Sequence, residues 1–199
     1  MTQWIEDPSG GRDRGPEALV RSWVEVLVRP ARFFRGGVAP GDQAPGLVFA
    51  MAVVLVEEVI RVVALGDYPV VAGQPTASAV LWVGVMVLLI TPAMLHLAAA
   101  VATIGLVPLA PDRGGVSETV QVFGYAAAPC LFASVPVLKV RAAAVVYGAV
   151  LAYVGVGRIH DLPPFRAALV TAAPAYVVFG YGFRGIRSVG RLLRNWYIV

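Results

Sequence analysis

Residues 77–109 read ASAVLWVGVMVLLITPAMLHLAAAVATIGLVPL, an uninterrupted apolar run without a single Asp, Glu, Lys or Arg. A bilayer's hydrocarbon core is ~30 Å thick and needs ~20 apolar residues in a helix. In lipid every backbone polar group must be satisfied within its own segment, so such a run is a helix and not a strand. At 33 residues the stretch exceeds one perpendicular crossing, and Thr91-Pro92 sits near its middle. One tilted, Pro-kinked helix that protrudes from the bilayer is favoured over a re-entrant hairpin, whose halves of ~15 residues would be too short to span.

Outward from this run, four more apolar segments lie at about 44–65, 117–138, 140–156 and 165–183. The connections between them are short and carry Gly or Pro, as at Gly66 to Pro75, Pro108 to Gly115 and Gly157 to Pro164. The expected fold class is therefore all-α: a polytopic transmembrane helix bundle of about five spans over 36–183. Composition agrees. The chain has 199 residues, 58% hydrophobic and only 14% charged, against roughly 25% charged in soluble domains. No apolar, cleavable leader is read in the first residues, so the polar tail over 1–16 is expected to be flexible and the first span to act as an anchor.

Both ends carry amphipathic segments. Over 17–35, Leu19, Trp23, Val26 and Leu27 share one face, while Arg21, Glu25 and Arg29 follow each other at i, i+4 on another. Pro30 ends or kinks this helix, and Phe33-Phe34 follows as an aromatic anchor. Over 184–199, Arg184, Arg187, Arg191 and Arg194 make one cationic stripe. Ile186, Val189, Leu193 and Trp196 or Tyr197 fall opposite. Both segments fit helices lying among lipid headgroups.

The net charge of +4 is carried almost wholly by Arg, Lys139 being the sole Lys. The cations gather at tails and span ends, where membrane proteins place them, so nucleic acid is not an expected partner. With the N-terminus cytoplasmic and five spans, nine Arg fall inside and six cations outside, which the positive-inside rule favours. Five spans leave the cationic C-terminal segment outside, against that rule; an even number would bring it in.

Few residues suggest chemistry. Cys130 is the single cysteine and lies in an apolar run, and His96 and His160 are the only histidines. No metal site and no cofactor are expected. No phosphate-binding loop, nucleophile elbow, zinc-protease helix or dinucleotide fingerprint is present, so an enzyme is not expected. His160-Asp161 reads as a solvated loop pair. The first span is interrupted by Glu57, Glu58 and Arg61. Charges at bilayer depth cost at least ~2.5 kcal/mol each and usually face a partner or a wet cavity. Arg61 is i+4 from Glu57 and i+3 from Glu58, so both acids reach the same cation. One carboxylate is left over, to be protonated, to bind a cation or to meet a group on another helix, His96 being a candidate partner; alternatively the cluster lies at the membrane edge and Arg61 snorkels to headgroups. Ala144, Gly148 and Ala152 form a small-residue stripe for close helix contact, within the bundle or in a homo-oligomer.

Two stretches carry a family resemblance. Trp23-Val-Glu-Val-Leu-Val-Arg-Pro-Ala-Arg-Phe-Phe34 resembles the W-x-x-V-L-x-x-P-x-x-F-F opening of prokaryotic Yip-type membrane proteins, with Pro30, Phe33 and Phe34 at its fixed positions. Phe123-Gly-Tyr-Ala-Ala-Ala-Pro129, followed by Pro136, resembles that family's Gly-Tyr-x-x-x-x-Pro region, here Gly124, Tyr125 and Pro129 with three residues rather than four between the last two. The resemblance implies five spans, a cytosolic N-terminus and a short C-terminus across the membrane. Eukaryotic members of the family are implicated in vesicle trafficking, Rab association and membrane shaping. Their Asp-Leu-Tyr-Gly-Pro motif is missing here, so Rab binding is not carried over. The composition points to a prokaryotic plasma membrane.

The expected function is a non-enzymatic membrane protein that organises the bilayer or scaffolds partners, with anionic lipid as its ligand. Arg21, Arg29, Arg32, Arg187, Arg191 and Arg194 would supply the charge, and Trp23, Phe33, Phe34 and Trp196 the insertion. The alternative is a small transporter or ion-conducting protein using Glu57, Glu58 and His96.

Overall fold

The structure is a computed structural model. It describes residues 5–6, 12–13, 15–111 and 113–196, so most of the polar tail and Tyr197 lie outside the described residues. Apart from two paired two-residue strands, β1 (Ile5–Glu6) and β2 (Arg12–Asp13), the ordered elements are helical. The chain enters through α1 (Pro16–Val28) and α2 (Pro30–Gly36), each with proline in its first turn, where a missing N–H costs nothing. α3 (Ala44–Ile60) continues as a π-helical turn, Arg61–Leu65. It stops at Gly66, whose φ of 58° is the left-handed conformation that glycine adopts without steric cost.

α4 (Pro75–Val85), a π-helical turn at Met86–Ile90 and α5 (Thr91–Leu109) form one continuous helix of 35 residues. The long single helix is therefore what forms, not the hairpin. Pro92 has no N–H for the Leu88 carbonyl, and the widened turn just before it absorbs the mismatch. The Thr91 hydroxyl donates to the Met86 carbonyl at 2.7 Å. At roughly 52 Å the helix must tilt or protrude.

The third apolar segment departs from expectation. α6 (Val116–Ala126) stops after 11 residues, and a 3-10 turn, Ala128–Phe132, replaces the rest of the expected span. Pro129 disfavours helical geometry at Ala128 and removes a donor, and Pro136 prevents resumption. Every residue from Thr119 to Cys130 is buried. α6 is thus the centre of the bundle, enclosed by α3, α5 and α7 (Leu138–Ile159). α7 also runs longer than the expected 140–156. After it come α8 (Pro164–Ala175), a π-helical turn at Tyr176–Gly182 and α9 (Gly185–Asn195).

Contacts between helix ends fix an up-and-down arrangement. Arg184, after the last π turn, pairs with Asp67, after the first. At the opposite end Arg166 Nη1 donates to the Leu109 carbonyl at 3.2 Å. Among the described residues two helices, Pro75–Leu109 and Leu138–Ile159, are long and apolar enough to cross a membrane.

The N-terminal helices correct which residues of 17–35 are free to meet lipid. α1 turns Ala18, Ser22 and Val26 inward, and Phe33 and Phe34 of α2 are buried in the bundle. Phe33 meets Tyr125 edge-on at a centroid distance of 4.8 Å. Trp23 Nε1 donates to the Ala128 carbonyl at 2.8 Å, and the Tyr147 hydroxyl donates to the Leu27 carbonyl. The indole thus supplies a partner to backbone at the break after α6. What α1 turns outward is Val20, Val24 and Val28. Phe33 and Phe34 are therefore not insertion residues, and half-buried Trp23 is mostly structural. The Ala144, Gly148 and Ala152 stripe is likewise spent inside the chain. A Cβ on Gly148 would lie 2.5 Å from Phe179 Cε1, so the stripe is not open to a second copy.

His160 is also not solvated. Its ring is 3% exposed, with Nε2 3.1 Å from Thr119 Oγ1, while Asp161 stays exposed. Burial pushes its pKa down to about 4, with Glu118 opposing and Arg113 adding to the shift. The unfolded chain protonates near pH 6.5. Between those values the unfolded state holds the extra proton, so stability is full above ~6.5 and falls as pH drops towards 4, by about 2–3 kcal/mol. Unfolding midpoints at pH 7 and 4.5 should show this acid loss in the parent and much less of it in His160→Asn. Equal loss in both would assign it elsewhere.

Candidate functional site: a buried charge triad and a cationic end

Glu57 and Glu58 occupy the last turn of α3 and Arg61 opens the π turn that follows. Their exposures are 1%, 1% and 3%, which rules out Arg61 snorkelling to headgroups. Helical spacing brings both acids to one guanidinium, as expected. Arg61 Nη2 donates to Glu57 Oε1, and Arg61 Nε lies 3.5 Å from Glu58 Oε2. Two further donors come from elsewhere in the fold. Ser134 Oγ, beyond the 3-10 turn, also donates to Glu57 Oε1, and Trp82 Nε1 of α4 donates to Glu58 Oε2 at 3.0 Å.

His96 does not join this cluster. It is exposed and its Nδ1 lies 2.7 Å from the Pro92 carbonyl of its own helix, so the expected four-residue site reduces to three. Trp82 and Ser134 were not anticipated. The only sequence signal for Trp82 is an indole N–H inside an apolar run, and Ser134 offered none beyond its place between two prolines. A cavity of about 50 Å³ adjoins the triad. Glu57, Glu58 and Thr91 line it together with apolar side chains such as Met86, Met94 and Phe183.

The family-motif residues form a separate structural cluster. Tyr125, fully buried, is held between Phe33 and Phe49, the latter at 5.1 Å. Gly124 sits against the Gly46 backbone, Pro30 starts α2, and Pro129 and Pro136 bracket the break after α6.

At the C-terminal end α9 buries Gly185 and Ser188 against its neighbours and exposes Arg187, Arg191, Arg194 and Trp196. Arg184 leaves the stripe for Asp67. At the other end of the chain Arg29 and Arg32 are exposed, while Arg21 pairs with Glu17 at 3.2 Å. Among the described residues no group of three His, Cys, Asp or Glu side chains converges as a metal site would require.

No curated protein and no solved structure matches the chain. The family model of the Yip1 domain does match, over residues 24–184. That span runs from the middle of α1 to the residue before α9, and includes the triad and the aromatic cluster. With the buried Gly-Tyr-Pro region and membrane-length helices, it makes this chain a membrane protein of the Yip1 domain family.

Proposed function

We propose that this protein is a non-enzymatic organiser of the bilayer, binding anionic lipid through the outward face of α9. The observation that carries this reading is the segregation of that helix. One side packs on α7, and Arg187, Arg191 and Arg194 project outward beside the exposed Ile186 and Trp196. Each Arg near an anionic surface is worth about 1 kcal/mol, so three give a preference strong at low salt and screened at high salt. Arg29 and Arg32 add charge at the other end of the chain. We place the protein in a prokaryotic plasma membrane with five crossings and a cytoplasmic N-terminus. Nine Arg inside against six cations outside support the cytoplasmic N-terminus, and the family resemblance supports the five crossings.

The test is to reconstitute the full chain and measure the enrichment of spin-labelled phosphatidylglycerol over phosphatidylcholine in its lipid shell. Enrichment should fall with added salt and drop several-fold in the Arg187→Gln/Arg191→Gln/Arg194→Gln variant. Equal enrichment in parent and variant, or none in the parent, refutes the reading.

A further inference from the structure

We propose that the cavity beside Glu57 and Glu58 binds one monovalent cation, either a proton or an alkali ion. The argument begins with charge. Two carboxylates and one guanidinium, none more than 3% exposed, leave a net charge of minus one inside the bundle. An uncompensated buried charge is far costlier than a paired one, so a further positive charge is required.

Among the described residues the surrounding side chains do not supply it. From α4 comes the neutral Trp82, and from the segment after the 3-10 turn the neutral Ser134. Cys130 approaches Glu57 from the 3-10 turn and is an uncharged buried thiol. Arg141 of α7 carries a further positive charge and feels that of Arg61. Its charged neighbours are Arg61, Arg191, Arg184 and Asp67, and it makes no ion pair with either glutamate. Asp67 is paired with Arg184.

The geometry then shows where the charge belongs. The hydrogen bonds to the two acids all end on Glu57 Oε1 and Glu58 Oε2, and Arg61 Nε faces Glu58 Oε2 at 3.5 Å as an ion pair without a hydrogen bond. Glu57 Oε2 and Glu58 Oε1 accept no hydrogen bond from a described residue, and both side chains line the cavity. About 50 Å³ holds one or two water-sized occupants. The third polar lining group, the Thr91 hydroxyl, already donates to the Met86 carbonyl and keeps its lone pairs as acceptors. A deficit of one charge suits a monovalent occupant, a proton or an alkali ion whose remaining ligands are water, rather than a divalent ion such as calcium or magnesium.

The experiment uses the purified full chain in detergent. Its unfolding midpoint is followed while sodium or potassium chloride replaces choline chloride at constant ionic strength and neutral pH. Infrared difference spectra of the same samples report any protonated carboxyl group. A saturable upward shift of several degrees with sodium or potassium, lost in Glu58→Gln, identifies an alkali ion. No salt response, together with a carboxylic-acid band at neutral pH that disappears in Glu58→Gln, identifies a proton. Glu57→Gln serves as the second variant if Glu58→Gln does not fold. A parent protein showing neither an alkali-ion response nor a protonated carboxyl band overturns the proposal, whatever the variants do.

Discussion

Replacing Arg61 with Gln should lower stability by about 3–5 kcal/mol, the cost of removing one partner from a buried ion pair. Domains are typically stable by only ~5–15 kcal/mol, so much of the protein should fail to fold or unfold at a far lower temperature. Glutamine keeps amide donors and much of the side-chain volume, so packing changes little. The loss comes from two carboxylates left facing each other's field with only Ser134 and Trp82 as donors. The diagnostic comparison is Arg61→Gln combined with Glu57→Gln. Removing the acid that lost its cation should recover a substantial part of the midpoint, although each single change is destabilising alone. Such a recovery is a coupling between contacting groups. A midpoint for Arg61→Gln within a degree or two of the parent would mean that the triad contributes nothing, and the charge argument would fall with it.

What could be read in advance depended on locality. Apolar length located the helix over Pro75–Leu109 and the one over Leu138–Ile159, because the cost of unpaired backbone in lipid applies to any long apolar run. The Glu57, Glu58 and Arg61 pairing was legible because helix geometry fixes i, i+3 and i, i+4 neighbours. Their partners Trp82 and Ser134 lie 24 and 77 residues away from the acids they touch, and no local rule reaches that far. Hydropathy also cannot distinguish a face turned to lipid from one turned to protein. That is why residues 117–138 read like a span facing lipid, although α6 is enclosed by α3, α5 and α7. It is also why Phe33 and Phe34 resembled a membrane anchor. Pro129 and Pro136 carried the signal for the broken third segment, but a kink within a span and an end to the helix have the same signature.

Gly124→Ala should be nearly as damaging as the loss of Arg61, for a reason of shape alone. A Cβ on Gly124 would stand 2.8 Å from the Gly46 carbonyl carbon and closer still to its oxygen. The contact is reciprocal, since a Cβ on Gly46 would lie 2.5 Å from Gln121 Cα. Backbone on both sides cannot rotate out of the way, so α3 and α6 must part. Parting them pulls Phe49 from Tyr125. It also strains Gln121, whose side chain accepts from the Ala39 N–H at 3.0 Å and donates to the Ala39 carbonyl at 2.7 Å. Overpacking of this kind costs about 1–3 kcal/mol, and the lost contacts bring the expectation to the upper end. Gly105→Ala is the control. Its new Cβ would meet Val170 Cγ2 at 3.5 Å, an ordinary contact. Alanine is also better than glycine in a helix interior by up to about 1 kcal/mol. Unfolding midpoints should therefore move in opposite directions, down for Gly124→Ala and level or up for Gly105→Ala. If Gly124→Ala left the midpoint unchanged, the close α3–α6 contact would not be what holds the centre of the bundle. The placement of Ser134 over Glu57 would then need another cause.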